Sequence, residues 1–297
     1  MKTLKYMITG LLLILLIPFS IAQIPVKNKQ VITIRSVTQN ASPELLKASK
    51  EIMERRLASI QLRDVKIIRN DTKSELVISV RDTISRERLL EVLLSRGHFN
   101  IYETMNRQEV LKSFSKKSSG CIQDVFSMLH IQDTTHAVSQ ELLGVADSKD
   151  TISLNACLSS ADVRALLPDK SRLLWSVYPD ENKLYRLYCL SLSDRPFSEQ
   201  DILEAHSDFS QSEYPTLNIT FKEDVRDLWK EATRRNINQP MAFVIDDKVY
   251  AAPRIVEVIP HGKIALSGSG FSKSEVRKLS AIISNGALPL EFKVVTD

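Results

Sequence analysis

Val31-Ile-Thr-Ile-Arg35 alternates apolar and polar side chains, the period-two pattern of a strand with one buried face. From Ser42-Pro43 the period changes. Ser42 caps a helix that Pro43 opens, and Leu45, Leu46, Ile52, Met53, Leu57 and Ile60 supply its apolar stripe. Strands follow at Val65 to Arg69 and Leu76 to Val80 around the turn-forming Asn70-Asp71. Ser85 caps a second helix, with Leu89, Leu90, Leu93 and Leu94 on one face and a stop at Gly97. Phe99-Asn-Ile-Tyr-Glu103 then alternates as a fourth strand. The order β-α-β-β-α-β predicts a ferredoxin-like unit, an antiparallel sheet with two helices on one face.

The last third of the chain repeats this order. Leu217 to Phe221 reads as a strand, Asp224 to Arg235 as a helix, and Met241 to Ile245 and Lys248 onward as a strand pair turning at Asp246-Asp247. Ser272 to Ser284 reads as a helix and Leu290 to Val295 as a closing strand. Leu90, Leu93, Leu94, Gly97 and Ile101 correspond to Leu279, Ile282, Ile283, Gly286 and Leu290 at one constant offset, which predicts a duplicated unit.

Residues 104–214 have a different character. The polar run Lys112 to Gly120 reads as a connector, Val125 to Leu129 as a helix, and Trp175 to Tyr178 and Leu184 to Leu190 as strands of a hairpin turning at Pro179-Asp-Glu-Asn182. The fold class predicted is α+β: two ferredoxin-like repeats, residues 23–103 and 215–297, form a base, and residues 104–214 form an inserted α+β head. A head joined by two strands of chain is expected to swing on a hinge.

Met1 to Gln23 carries Lys2 and Lys5, an apolar run from Tyr6 to Ile17, a break at Pro18, and small residues at Ser20 and Ala22. This is the layout of a signal peptide, residues 1–22, cleaved between Ala22 and Gln23; an uncleaved anchor is the alternative. The expected location is periplasmic or otherwise exported, with peripheral or no membrane contact after cleavage. The chain of 297 residues has 40 basic and 36 acidic side chains, a formal +4. Removing Lys2 and Lys5 leaves +2, too little to predict a nucleic-acid partner.

Three cysteines, Cys121, Cys157 and Cys189, allow one bridge in an oxidising compartment. Cys157 and Cys189 lie on segments that read as extended, so a cross-strand pair between them is one expectation and three unbonded thiols the other. His98, His130, His136, His206 and His261 show no zinc-helix spacing, and no metal or cofactor site is predicted. Gly268-Ser-Gly270 lacks the further glycine and the Lys-Ser/Thr of phosphate loops. It leads instead into Ser272 and Glu275, the spacing of a capping box. No nucleophile elbow or activated cysteine is present, and the residues read as those of a non-enzyme.

Pro240 to Ile255, with Ala251-Ala-Pro253 at its end, then Ile264 to Ser272 through Gly268, Gly270 and Phe271, then Asn285-Gly-Ala-Leu-Pro289, closely resemble the large exported domain of the SecD family. Phe197 to Ala205 and Leu217 to Asn236 are similar to that family's approach to the motif. SecD is a membrane-embedded accessory component of the bacterial Sec export machinery, and its exported domain has a two-repeat ferredoxin-like base with an inserted head. Ala251, Ala252, Pro253, Gly268, Gly270, Phe271, Gly286, Ala287, Leu288 and Pro289 are expected to serve the fold, since Gly and Pro there meet backbone needs.

The sequence closes at Asp297 without the membrane helices through which SecD and SecF couple proton flow to movement, and Val31 to Val37 lacks the family's glycine-bearing motif. The resemblance therefore implies a stand-alone exported module without the membrane motor. Its expected partners are extended or unfolded exported polypeptides, held by strand addition, and components of the Sec translocon. The alternative is a structural or envelope-assembly protein that keeps the fold without a role in export.

Overall fold

The computed structural model describes residues 28–114, 129, 142–193, 195–210, 214–268 and 270–295. The signal segment with Ala22 and Gln23, most of the connector and the helix read after it, Cys121, His130 and His136 lie outside the described residues. In chain order the elements are β1 (Asn28–Ser36), α1 (Pro43–Ser59), β2 (Val65–Asn70), β3 (Glu75–Asp82), α2 (Arg86–Leu94), β4 (Phe99–Thr104) and α3 (Arg107–Phe114). The central segment continues with β5 (Leu142–Asp147), α4 (Thr151–Leu158), α5 (Ala161–Arg164), β6 (Ser171–Trp175) and β7 (Leu184–Ser191). Then come β8 (Phe197–Ser198), β9 (Ile202–Asp208), β10 (Thr216–Phe221), α6 (Arg226–Arg235), β11 (Met241–Ile245), β12 (Lys248–Ala251), β13 (Lys263–Leu266), α7 (Lys273–Asn285) and β14 (Phe292–Val294). No helix among the described residues is long and apolar enough to cross a membrane.

The helices start where their caps place them. Ser42 Oγ accepts from Leu45 N at 3.3 Å, Ser85 Oγ from Arg88 N at 3.2 Å, and Ser272 Oγ from Glu275 N at 3.1 Å. Leu46, Met53 and Leu57 of α1 and Leu89, Val92 and Leu93 of α2 are buried in one core with Ile32, Ile34, Ile78 and Val80. Among the described residues no helix packs on the opposite face of that sheet, where Val31 and Ile68 are exposed.

The two units do not each close their own sheet, which corrects the reading of two self-contained repeats. The first sheet runs β14-β1-β3-β2, so its outer strand comes from the far end of the chain, with Ile34 opposite Val294 and Ser36 opposite Phe292. Reciprocally, β4 lies antiparallel to β11, from Phe99 opposite Ile245 to Glu103 opposite Met241. Leu288, Leu290 and Phe292 thereby enter the N-terminal core, and Phe99 and Ile101 enter the C-terminal one. Each unit lends its last strand to the other.

The crossings follow α2 and α7 at Gly97 and Gly286, whose φ values of 81° and 77° are ones that a side chain resists. Arg56, fully buried on α1, clamps both crossings. Its guanidinium donates to Ser95 O at 2.6 Å, Arg96 O at 3.0 Å and Gly286 O at 2.7 Å. Burial lowers its pKa to about 10, with Asp246 opposing the shift, so it stays charged at neutral pH. The crossings also touch directly, Leu288 N donating to Arg96 O at 2.6 Å. Asp246, whose φ of 49° and that of Asp247, 62°, fit the predicted two-residue turn, adds a second tie. Its carboxylate accepts from Ser95 Oγ at 2.6 Å, Gly97 N at 2.9 Å and His98 N at 3.0 Å.

In the C-terminal unit the strand read from Lys248 onward breaks at Pro253. β12 stays paired with β11, whereas β13 pairs with β10 in a separate sheet ordered β13-β10-β9. The two strands are edges of different sheets.

The central segment forms the predicted hairpin, β6 against β7. It does not hang on two strands of chain. β7 continues the base sheet by pairing Glu103 with Ser191 and Thr104 with Leu190, giving the order β12-β11-β4-β7-β5. Leu174, Tyr188 and Leu190 share one core with Ala242, Val244 and Val249. A free hinge is therefore replaced by a continuous sheet.

The cysteine pairing is also corrected. Residues 151–158 form helix α4 rather than a strand, and Cys157 is disulfide-bonded, but not to Cys189. Cys189 is a free thiol inside β7, 1% exposed, with Sγ 3.7 Å from Met105 Sδ. Burial pushes its pKa up to about 12. Iodoacetamide is expected to leave Cys189 unmodified in the native protein and to label it fully after unfolding; rapid native labelling would contradict this packing.

Candidate polypeptide-binding cleft

The motif residues separate into two places. Gly286, Ala287, Leu288 and Pro289 form the crossing into β14, where Leu288 is 1% exposed and Gly286 is held by Arg56. Pro253 sits where β12 ends, its carbonyl accepting from Met241 N at 3.1 Å. Ala251, Ala252, Gly268, Gly270 and Phe271, by contrast, all line one cleft of about 810 Å³. A second cavity of about 560 Å³, between Asn155 and Leu187 in the central segment, contains none of them.

One wall of the cleft is the base. β12 supplies Val249 to Ala251, and the connection from β13 to α7 supplies Ser267, Gly268, Gly270 and Phe271. The other wall is the β6–β7 hairpin, Ser176 to Arg186. The hairpin meets β12 where Ser176 bridges to Val249 and Val177 N donates to Val249 O at 2.9 Å, and again where Tyr178 meets Tyr250. The base wall includes Ala251, Ala252, Gly268 and Gly270, so little side-chain bulk covers its backbone there. Tyr178, Tyr188, Tyr250 and Phe271 contribute flat apolar surface, with Tyr178 and Tyr250 edge to face at 6.3 Å between centroids. Asp180, Glu181 and Arg186 give the hairpin rim mixed charge.

Beneath the cleft lies a buried ionic cluster. Glu275 is 3% and Lys278 4% exposed. Glu275 Oε2 accepts from Arg88 Nη1 at 2.9 Å, Glu275 Oε1 lies 2.9 Å from Lys278 Nζ, and Lys278 also reaches Glu91 Oε2 at 3.0 Å. Lys278 Nζ stands 5.7 Å from the centre of the Tyr250 ring and 3.4 Å from the Tyr178 hydroxyl. The cluster thus joins α2, α7, β12 and the hairpin. Burial opposes ionisation of Glu275, but Tyr178, Lys278 and Arg88 outweigh it and hold its carboxyl below the ordinary value. Burial, then Glu275, pushes the Tyr178 phenol well above its usual range. The capping box is therefore only half formed: Ser272 caps α7, while the Glu275 carboxylate turns inward to Arg88 and Lys278.

Residues 177–290, which contain most of the hairpin wall, the base wall and α7, match the family model described as SecDF, P1 head subdomain. The chain is SecD-like. It is 25% identical over 251 residues to the protein translocase subunit SecD of Desulfurispirillum indicum, covering 83% of this chain and 47% of that protein. Against the SecD of Rhodothermus marinus it is 26% identical over 160 residues, covering 52% of this chain and 26% of that one. Against the SecDF of Thermus thermophilus it is 32% identical over 94 residues, covering 32% and 13% respectively. A crystal structure of SecDF in its super-membrane-facing form shares the fold, with a TM-score of 0.52 and 17% identity over 91% of this chain and 30% of that one. The SecD-like chain spans about a quarter to a half of the length of the first two relatives.

Periodicity did not single out Arg56, Lys278 or Tyr178. A signal for the first two was present: Arg56 falls beside Met53 and Leu57 on the apolar stripe of α1, and Lys278 falls between Val276 and Leu279 on α7. A charged residue on a core-facing stripe requires a buried partner.

Proposed function

We propose that this SecD-like chain is an exported, non-enzymatic accessory in protein translocation or in the handling of newly exported polypeptides, and that its cleft holds an extended client. In this reading residues 23–103 and 215–297 form the base, residues 104–214 form the head, and residues 1–22 direct export. The observation that carries it is the collection of Ala251, Ala252, Gly268, Gly270 and Phe271 along one cleft at the end of the edge strand β12, beyond the point where the hairpin pairs with Val249. Small residues next to an unpaired edge admit a second backbone, and backbone hydrogen bonds hold a chain without demanding sequence. Aromatic rings supply sequence-tolerant apolar contact. Sec translocon components are the proposed docking partners.

The test is anisotropy titration of a labelled, permanently unfolded polypeptide against the native protein and against Phe271→Ala and Ala252→Trp. Each substitution is expected to weaken binding by about tenfold or more, roughly 1.4 kcal/mol. Because Phe271 and Ala252 also pack against the cores on either side of the cleft, titrations are run where circular dichroism shows both variants folded. Unaltered affinity in both would remove the cleft from client binding. Recovery of envelope proteins but never Sec components after cross-linking in cells would favour an assembly role instead.

A further inference from the structure

The open face of the four-stranded sheet carries side chains that neither the fold nor the cleft uses. Antiparallel register aligns them in rows: Lys29 with Arg81, then Val31 with Ser79 and Lys66, then Thr33 with Val77 and Ile68. Val31 and Ile68 are 52% and 50% exposed. Lys29, Arg63, Lys66 and Arg81 surround a shallow hollow of about 370 Å³ with Asp64 as its only acid. No ion pair to any of these four cations is formed among the described residues. Lys29 directly faces Arg81 across neighbouring strands, a like-charge arrangement that costs the sheet stability. A second copy of the chain does not suit this face, because an isologous contact would set cation against cation.

We propose that this face docks on an anionic phospholipid surface, its cations meeting headgroup phosphates and Val31 and Ile68 meeting the interface beneath them. Charge complementarity carries the assignment: clustered Lys and Arg are drawn to anionic lipid additively. Sequence position agrees with it. Lys29 lies at the start of β1, and only ten residues separate Ile17, the end of the apolar N-terminal run, from Asn28. Ten residues span at most about 35 Å, so while that run is in a membrane the basic end of the sheet stays within reach of the lipid. The docked sheet would fix how the base stands on the membrane. This inference is independent of the client-binding reading.

The test is lysine footprinting of the mature chain from Gln23 on vesicles of phosphatidylcholine alone or with added phosphatidylglycerol. Leaving out residues 1–22 removes Lys2 and Lys5, which anionic lipid also attracts, so the difference isolates the sheet face. Acetylation of Lys29 and Lys66, read by mass spectrometry, is expected to slow about threefold or more on anionic vesicles, and high salt should abolish the effect. Lys47, exposed on α1 away from this face, should label equally on both. Arg63→Glu with Arg81→Glu should abolish the protection without lowering stability to urea, since Glu at position 81 relieves the repulsion of Lys29. Equal labelling of Lys29 and Lys66 on both vesicles would overturn the proposal. So would equal protection by inorganic phosphate without vesicles, which marks a free-anion site, or protection confined to membranes containing Sec proteins, which marks a protein partner.

Discussion

Replacing Arg56 by Met is expected to destabilise the protein by roughly 3–5 kcal/mol, a large part of the total stability of an ordinary domain. Met fills much of the volume but donates nothing. The carbonyls of Ser95, Arg96 and Gly286 would each lose a charged donor inside the protein. Those carbonyls belong to the two crossings, so the loss falls where the exchanged strands are held together. Gly97→Ala should act on the same point from the other side. Its Cβ would stand 2.2 Å from Arg56 Nη2, at a φ of +81° that alanine resists. Urea unfolding measures both. An Arg56→Met protein within about 1 kcal/mol of the native one would show that the clamp contributes little beyond its volume.

Glu275→Gln is expected to cost about 2–4 kcal/mol at neutral pH, because it leaves Lys278 and half-buried Arg88 sharing Glu91. The pH dependence has a defined sign. The folded state holds the Glu275 carboxyl below its ordinary 4.5, so unfolding takes up a proton in the window between the two values. Its contribution is complete above about 4.5 and disappears as the pH falls through the lower, folded value. The stability gap between native protein and Glu275→Gln should therefore be flat from neutral pH to about 5 and close below 4.5. A gap that persists unchanged at lower pH would mean the variant acts through packing alone.

Sequence and structure agree where periodicity carries the information. The serine caps and most of the helix stripes lie where the pattern of apolar and polar residues puts them, the exception being Leu45, which is 42% exposed at the start of α1. Gly286 directly follows its helix as read, whereas α2 ends earlier, at Leu94, and Gly97 lies in the crossing beyond it; both glycines have a positive φ. What periodicity cannot carry is the choice of partner. Phe99-Asn-Ile-Tyr alternates in the same way beside β11 as it would beside β1, so the strand exchange is invisible until the crossings and Arg56 are seen. Ile152 to Leu158 reads as extended in the sequence but is helix α4, because a short apolar run fits a buried strand or a buried helix equally. At the candidate site, residues 286–289, read as backbone devices, form the crossing into β14. At 251–252 and 268–271 the same kind of residue lines a cleft, because the facing wall comes from the β6–β7 hairpin, which local sequence does not reveal.

The most direct measurement is photo-cross-linking in living cells with a photoreactive phenylalanine analogue placed at position 271, in the cleft, and at position 152, a site 79% exposed on α4. The cleft reading predicts adducts with exported polypeptides from position 271 while export is active, and few from position 152. Equal yields from both positions, or adducts from position 152 alone, would contradict it.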